Sequence, residues 1–104
     1  MVERKREYFR VEFPHSYRPS LTMDVDKYEI EDVSEYGVKF KSTEANEFML
    51  DDLIIGTIIF PDGKDFELSG QVIRVDDCYV SLHLAEPLPL SKIRSEHLYL
   101  ISHY

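Results

Sequence analysis

The chain has 104 residues, 43% of them apolar, and a formal charge of −8 from 12 basic and 20 acidic side chains. This predicts one compact domain over residues 1–104, able to bury roughly two thirds of its unfolded surface, and excludes a disordered acidic tail. The acidic balance argues against a generic DNA or RNA coat protein, and no run approaches the roughly 18 apolar residues of a membrane span.

In chain order, Thr22–Ile30 carries β-branched and aromatic residues with acids between them and predicts a strand. Gly37–Lys41 alternates apolar and polar residues and predicts a second. Residues 42–52 are polar and irregular, with Phe48 and Leu50 as expected anchors. Ile54–Phe60 is strongly β-like, and Pro61-Asp62-Gly63-Lys64 is a turn in which Asp-Gly supplies positive φ. Phe66–Val75 places Phe66, Leu68, Gly70 and Val72 on one face, Asp76-Asp77 turns, and Cys78–Leu84 returns as a strand. Leu90, Ile93, His97, Leu100, Ile101 and Tyr104 then form a helical stripe, entered through Pro87 and Pro89. Short strands at this spacing suggest a small barrel or sandwich with the helix laid on it.

Charge is uneven along the chain. Residues 1–18 hold five basic against three acidic groups, a balance of +2, and the remainder carries −10. The densest basic cluster is Arg4, Lys5 and Arg6, with Arg10 one step further. It is either a solvated arm or an anion site, and an acidic body suits a small dianion better than a long polyanion.

Two clusters carry recognisable chemistry. Arg6-Glu7-Tyr8-Phe9-Arg10 is an Arg-x-x-x-Arg run, and Asp32-Val33-Ser34-Glu35-Tyr36-Gly37 is an Asp-x-Ser-x-x-Gly run between two strands. Taken alone, the second is also an ordinary turn, in which Asp32 and Ser34 bond backbone N–H groups and Gly37 takes positive φ. Arginine offers a planar fork that binds phosphate bidentately, reads a guanine edge or stacks on a base. A carboxylate such as Asp32 accepts from guanine N–H groups, Ser34 adds a hydrogen bond, and Gly37 allows close backbone approach.

In this order, about 20 residues apart, the two motifs resemble those of the PilZ domain family. Gly70-Gln71-Val72-Ile73-Arg74 is similar to the family's Gly-x-Val-x-Arg strand, and Val80-Ser81-Leu82-His83-Leu84 stands where a Val-Gly-Val-x-Phe strand is usual, with Ser81 for Gly and Leu84 for Phe. The resemblance implies a six-stranded antiparallel β-barrel over 19–86, a C-terminal helix over 89–104 and a flexible, ligand-binding N-terminal switch loop over 1–18. It implies a cyclic di-GMP receptor without catalytic activity, whose site comprises Arg6, Arg10, Asp32, Ser34 and Gly37. Arg4, Lys5 and Lys39 flank that site; Lys39 stands where the family often has Arg, and Lys5 occupies the position that influences one or two ligands per site. The signal would pass by loop ordering to a downstream protein effector. The alternative is a PilZ-like adaptor that does not depend on the nucleotide.

Other readings find less support. His15, His83, His97 and His103 have no metal-ligand spacing, and Cys78 has no partner cysteine, so neither metal nor cofactor is expected. Ser34 and His83 lack an acid to complete a catalytic set, so an enzyme is not expected. Tyr8, Phe9 and Tyr17 could imitate the stacking surface of an OB-like single-strand binder, but the net charge opposes DNA or RNA as partners and the rings read as loop anchors. The charged N-terminus is unlike a secretory leader and the lone cysteine permits no internal disulfide, so a reducing, cytoplasmic compartment is expected.

Overall fold

A computed structural model describes residues 9–43 and 47–104. Seven strands, β1 (Val11–Glu12), β2 (Ser20–Met23), β3 (Asp26–Val33), β4 (Gly37–Lys41), β5 (Leu53–Ile59), β6 (Asp65–Asp76) and β7 (Tyr79–Leu84), precede one helix, α1 (Leu90–His103). All pairings are antiparallel. The order β3-β2-β5-β6-β7-β4 closes on itself through a β3–β4 ladder, giving a six-stranded barrel with β1 added along β3. Closure removes the exposed edges that an open sheet would carry.

The sequence expectation of one strand over Thr22–Ile30 is corrected: the segment is a hairpin. Asp24 takes φ 55° and Met23 pairs with Asp26, so β2 and β3 fold back around Asp24 and Val25. Aspartate tolerates this left-handed conformation better than most residues, and Val25, the β-branched residue that suggested a strand, lies exposed at the tip. The Asp62-Gly63 turn forms as expected, with Gly63 at φ 93°. A short strand not foreseen, β1, lies inside the segment read as a loop, and Val11 and Phe13 are buried there.

Inward-facing side chains fill the barrel: Leu21, Ile30, Phe40, Ile58, Val72, Val80 and Leu82 are almost wholly buried. Phe48 packs edge-on against Phe40 and Tyr28, as expected of an anchor. Leu50 is not one. Met49 and Asp52 close a turn through Asp52 N–H to Met49 O (3.1 Å) and Met49 N–H to Asp52 Oδ2 (2.9 Å), which leaves Leu50 exposed at its tip.

Two bulges interrupt the alternation. In β3 the register shifts between Ile30 and Asp32, so Glu31 has no cross-strand partner in β4. In β6 it shifts between Val72 and Arg74, so Ile73 has none in β7. Each bulge turns two consecutive side chains outward while the flanking apolar residues stay inside.

Helix α1 docks through a face rotated from the expected stripe. Ile93 is buried and His97 and Leu100 are half-buried, but Ile101 and Tyr104 are exposed, and Lys92 and Glu96 are buried in their place. The cause is an ionic clasp. Lys92 Nζ donates to Asp62 Oδ2 (2.6 Å), pairs with Glu96 Oε2 (2.9 Å), and lies 4.9 Å from the centre of the Phe60 ring. The expected aromatic anchors meet the helix more than the barrel: Phe9 sits edge-on to His97 and Tyr17 stacks on Tyr99, both at 4.7 Å. Burial and the neighbouring Glu96 carboxylate push the Tyr17 phenol up to about 12. Tyr8 lies outside the described residues.

Breaking a buried ion pair on one side strands the other charge. Lys92→Met is expected to lower unfolding stability by about 3–5 kcal/mol, read from the denaturant midpoint, and Lys92→Met with Glu96→Leu to recover much of it. The hydrogen bond from Lys92 holds the Asp62 carboxyl below its ordinary 3.8. The contribution of Asp62 is therefore complete above that ordinary value and is lost as pH falls through the depressed one.

Candidate functional site

The β3–β4 hairpin carries the Asp-x-Ser-x-x-Gly segment. Asp32 and Ser34 point outward on either side of buried Val33. The turn is held by Ser34 N–H to Gly37 O (2.9 Å) and by two further bonds, Leu84 N–H at the end of β7 to Tyr36 O (2.8 Å) and Leu88 N–H beyond it to Glu35 O (2.7 Å). Gly37 does not adopt the positive φ expected of it, since Gly63 alone among the described glycines does. A Cβ there would stand 2.9 Å from Ser34 Oγ, a contact that rotation of the hydroxyl relieves.

Register aligns the rest. Asp32 pairs with Lys39, Lys39 with Ser81, and Ser81 with Arg74, a row of four outward side chains across β3, β4, β7 and β6. Directly inside it runs a second row, Val33, Val38, Leu82 and Val72, all buried. The two bulges bring Asp32 and Arg74 into the outer row. At its β3 end, Val11 pairs with Val33 and Glu12 with Asp32, which sets Arg10 at the level of Ser34.

These residues line one shallow recess of about 240 Å³: Arg10, Asp32, Ser34, Gly37, Lys39, Ile73, Arg74 and Ser81 all border it, floored by Val38 and Leu82. The structure thus brings together Arg10, Asp32, Ser34, Gly37 and Lys39 from the sequence-derived set. Arg4, Lys5 and Arg6 lie outside the described residues. Arg74 and Ser81 were recognised only as parts of strand motifs. What would have assigned them to the site is the cross-strand register, together with the bulge that reverses the outward phase of β6.

The electrostatics are mixed. Burial, the largest influence, pushes the Asp32 carboxyl above its ordinary 3.8 against the opposing pull of Arg10 and Lys39. Lys39 Nζ lies 3.2 Å from Glu31 Oε1 and 5.0 Å from the centre of the Tyr79 ring. Arg74 Nε lies 2.9 Å from Asp76 Oδ2. Both cations therefore rest on carboxylates at the rim, in partly exposed pairs that cost little to exchange. Among the described residues no group of three or more His, Cys, Asp or Glu side chains could hold a metal ion. No helix of the described residues is long and apolar enough to cross a membrane.

The chain is thus a small closed β-barrel with a fixed turn and a line of polar and charged side chains on its outer wall. The chain belongs to the PilZ domain family, whose pattern it matches over residues 4–99. Domains of this family are generally cyclic di-GMP receptors, and they are ligand-binding or adaptor domains, not enzymes. No curated protein matches the chain. Among solved structures, the crystal structure of an uncharacterized protein from Legionella is similar, with TM-score 0.57 and 20% identity over 92% of this chain and 91% of that one. At that identity the likeness concerns the fold.

Gly37→Ala forces the Ser34 hydroxyl to rotate, while the next nearest atom, Leu82 O at 3.9 Å, is in ordinary contact. The expected result is a change in stability of about 0.5 kcal/mol or less, with amide shifts concentrated around residues 34–37 in a heteronuclear NMR spectrum. A large fall in the melting temperature would contradict this account of Gly37.

Proposed function

We propose that this chain is a receptor for cyclic di-GMP. The observation that carries the reading is the convergence of Arg10, from ahead of β1, with Asp32, Ser34 and Gly37 of the β3–β4 hairpin on one recess. In this reading the Arg10 fork binds a phosphate or the O6/N7 edge of a guanine. Asp32 accepts from guanine N–H groups, and Ser34 adds a hydrogen bond beside the close backbone of Gly37. Lys39 and Arg74 leave Glu31 and Asp76 to meet phosphate. Arg6, with Arg4 and Lys5, supplies the remaining positive charge when the N-terminal run closes on the barrel, and that closure presents a new surface to a protein effector.

A second reading, an adaptor independent of the nucleotide, is favoured by one observation: Lys39 and Arg74 already have carboxylate partners. Isothermal titration with cyclic di-GMP separates the two. The receptor predicts saturable heat at micromolar protein. Loss of one charge-assisted bond, at about 1.5–3 kcal/mol, predicts about 10- to 150-fold weaker binding for Arg10→Ala and for Asp32→Asn. Absence of heat favours the adaptor.

The pH dependence follows from Asp32. Its pKa is raised in the free protein, and guanine N–H donors favour the carboxylate. Affinity should therefore be flat well above that pKa and fall as pH drops through it, with proton release on binding in the acidic range. Titrations in buffers of different ionisation enthalpy read this directly.

A further inference from the structure

A group of exposed aliphatic side chains lies on the barrel wall beside the recess. β5 turns Leu53 and Ile55 outward at 80% and 79% exposure, and Met49, Leu50 and Ile73 are each more than half exposed. Register makes the strand residues neighbours. Leu53 faces Gln71 and Ile55 faces Ser69, and Ile73 lies two residues beyond Gln71, at a diagonal from Leu53. Gln71 Nε2 donates to Asp51 Oδ1 (3.4 Å), which draws the turn that carries Leu50 against this face. At one end Ile73 borders the recess. At the other, Ile55 borders a groove of about 620 Å³ with Glu67, Glu86, Pro87 and Pro89.

The barrel does not need these side chains. Its interior takes Ile54 and Ile58 from the same strand, and outward positions on a solvated wall are ordinarily polar. A contiguous exposed aliphatic group of this kind marks an interaction surface. The charge around it limits the occupant. Asp51 and Asp52 border it on one side and Glu67 and Glu86 on the other, and β5 itself carries no charged residue. The cations of the recess, Arg10, Lys39 and Arg74, stand only beside Ile73, and Lys39 and Arg74 are paired with Glu31 and Asp76. A second copy of the chain would bring the same acids together, with a net −8 on each partner. An anionic lipid surface would be repelled in the same way.

We propose that the outer face of β5 and β6 docks a cationic amphipathic segment of a partner protein. Aliphatic side chains of that segment cover Leu53, Ile55 and Ile73, and its Lys or Arg side chains meet Asp51, Asp52, Glu67 and Glu86. The proposal does not require the nucleotide. Because Ile73 belongs to both surfaces, a segment docked here touches the rim of the recess.

The probe is a 15-residue synthetic peptide of alternating Leu and Lys, compared with versions in which Gln or Glu replaces Lys, using calorimetry and amide-shift mapping on the full chain. The expected result is binding of the Lys peptide, with shifts over residues 49–57 and 67–73. Binding should weaken at least tenfold in Leu53→Lys with Ile55→Lys, weaken in Glu67→Lys with Glu86→Lys, and survive Leu98→Ser with Ile101→Ser on the helix. All these positions are solvent-facing, and circular dichroism melts confirm that each variant is folded. No binding, equal binding of the Glu peptide, or no effect of the β5 substitutions would overturn the proposal. So would a concentration-dependent dimer, seen by sedimentation, that Leu53→Lys dissolves, because the occupant would then be a second copy.

Discussion

The β3–β4 ladder is the contact on which both fold and site depend. Ile30 with Phe40 and Val33 with Val38 join the two end strands of the sheet, and this pairing is the one that turns the sheet into a closed barrel. The same stretch of chain carries Asp32, Ser34 and Gly37 on its outer side. A site built here inherits the rigidity of the barrel seam. Little backbone rearrangement is needed in its β3–β4 half.

The recess is modest in depth and mixed in charge, which suits reversible occupation. Lys39 and Arg74 are already compensated by Glu31 and Asp76, so the anion proposed for it would have to exchange partners instead of neutralising bare charge. Such an exchange would limit affinity but sharpen selectivity, because a ligand that cannot replace both carboxylates would gain little. The helix is held apart from this exchange. Its clasp through Lys92, Asp62 and Glu96 is linked to the N-terminal segment by Tyr17 and Phe9.

Much of the architecture was legible in the sequence because it follows local rules. Alternation gave β4 and one face of β6, Asp62-Gly63 gave its turn, and the spacing of Leu90, Ile93 and His97 gave the helix. The failures have physical causes. Asp24 turns the chain where valine and tyrosine suggested continuity, since an aspartate in the left-handed region leaves no strong compositional mark. Leu50 reads as an anchor because it is apolar, while its exposure is decided by a turn of four residues, Met49 to Asp52. The docked face of α1 shifted because a buried Lys–Glu pair is invisible to an apolar count. At the recess, motif spacing found Asp32, Ser34 and Gly37 of one hairpin and Arg10 ahead of β1, and Arg74 and Ser81 escaped because only the register of four strands makes them neighbours of Asp32.

The bulge at Ile73 has a consequence for how this barrel tolerates change in length. One residue there acts as a phase shift between two halves of β6: before it the even-numbered side chains face the core, and after it the odd-numbered ones do. Deleting that residue would leave Val72 inward, Arg74 outward and Val75 inward, so the strand would regain plain alternation with every pairing to β7 kept. A deletion within the regular stretch Leu68–Val72 would instead exchange inward and outward faces along the strand unless a bulge moved to absorb it. The bulge is thus the point at which β6 can lose a residue without moving a side chain from one face to the other, whereas its regular stretches cannot.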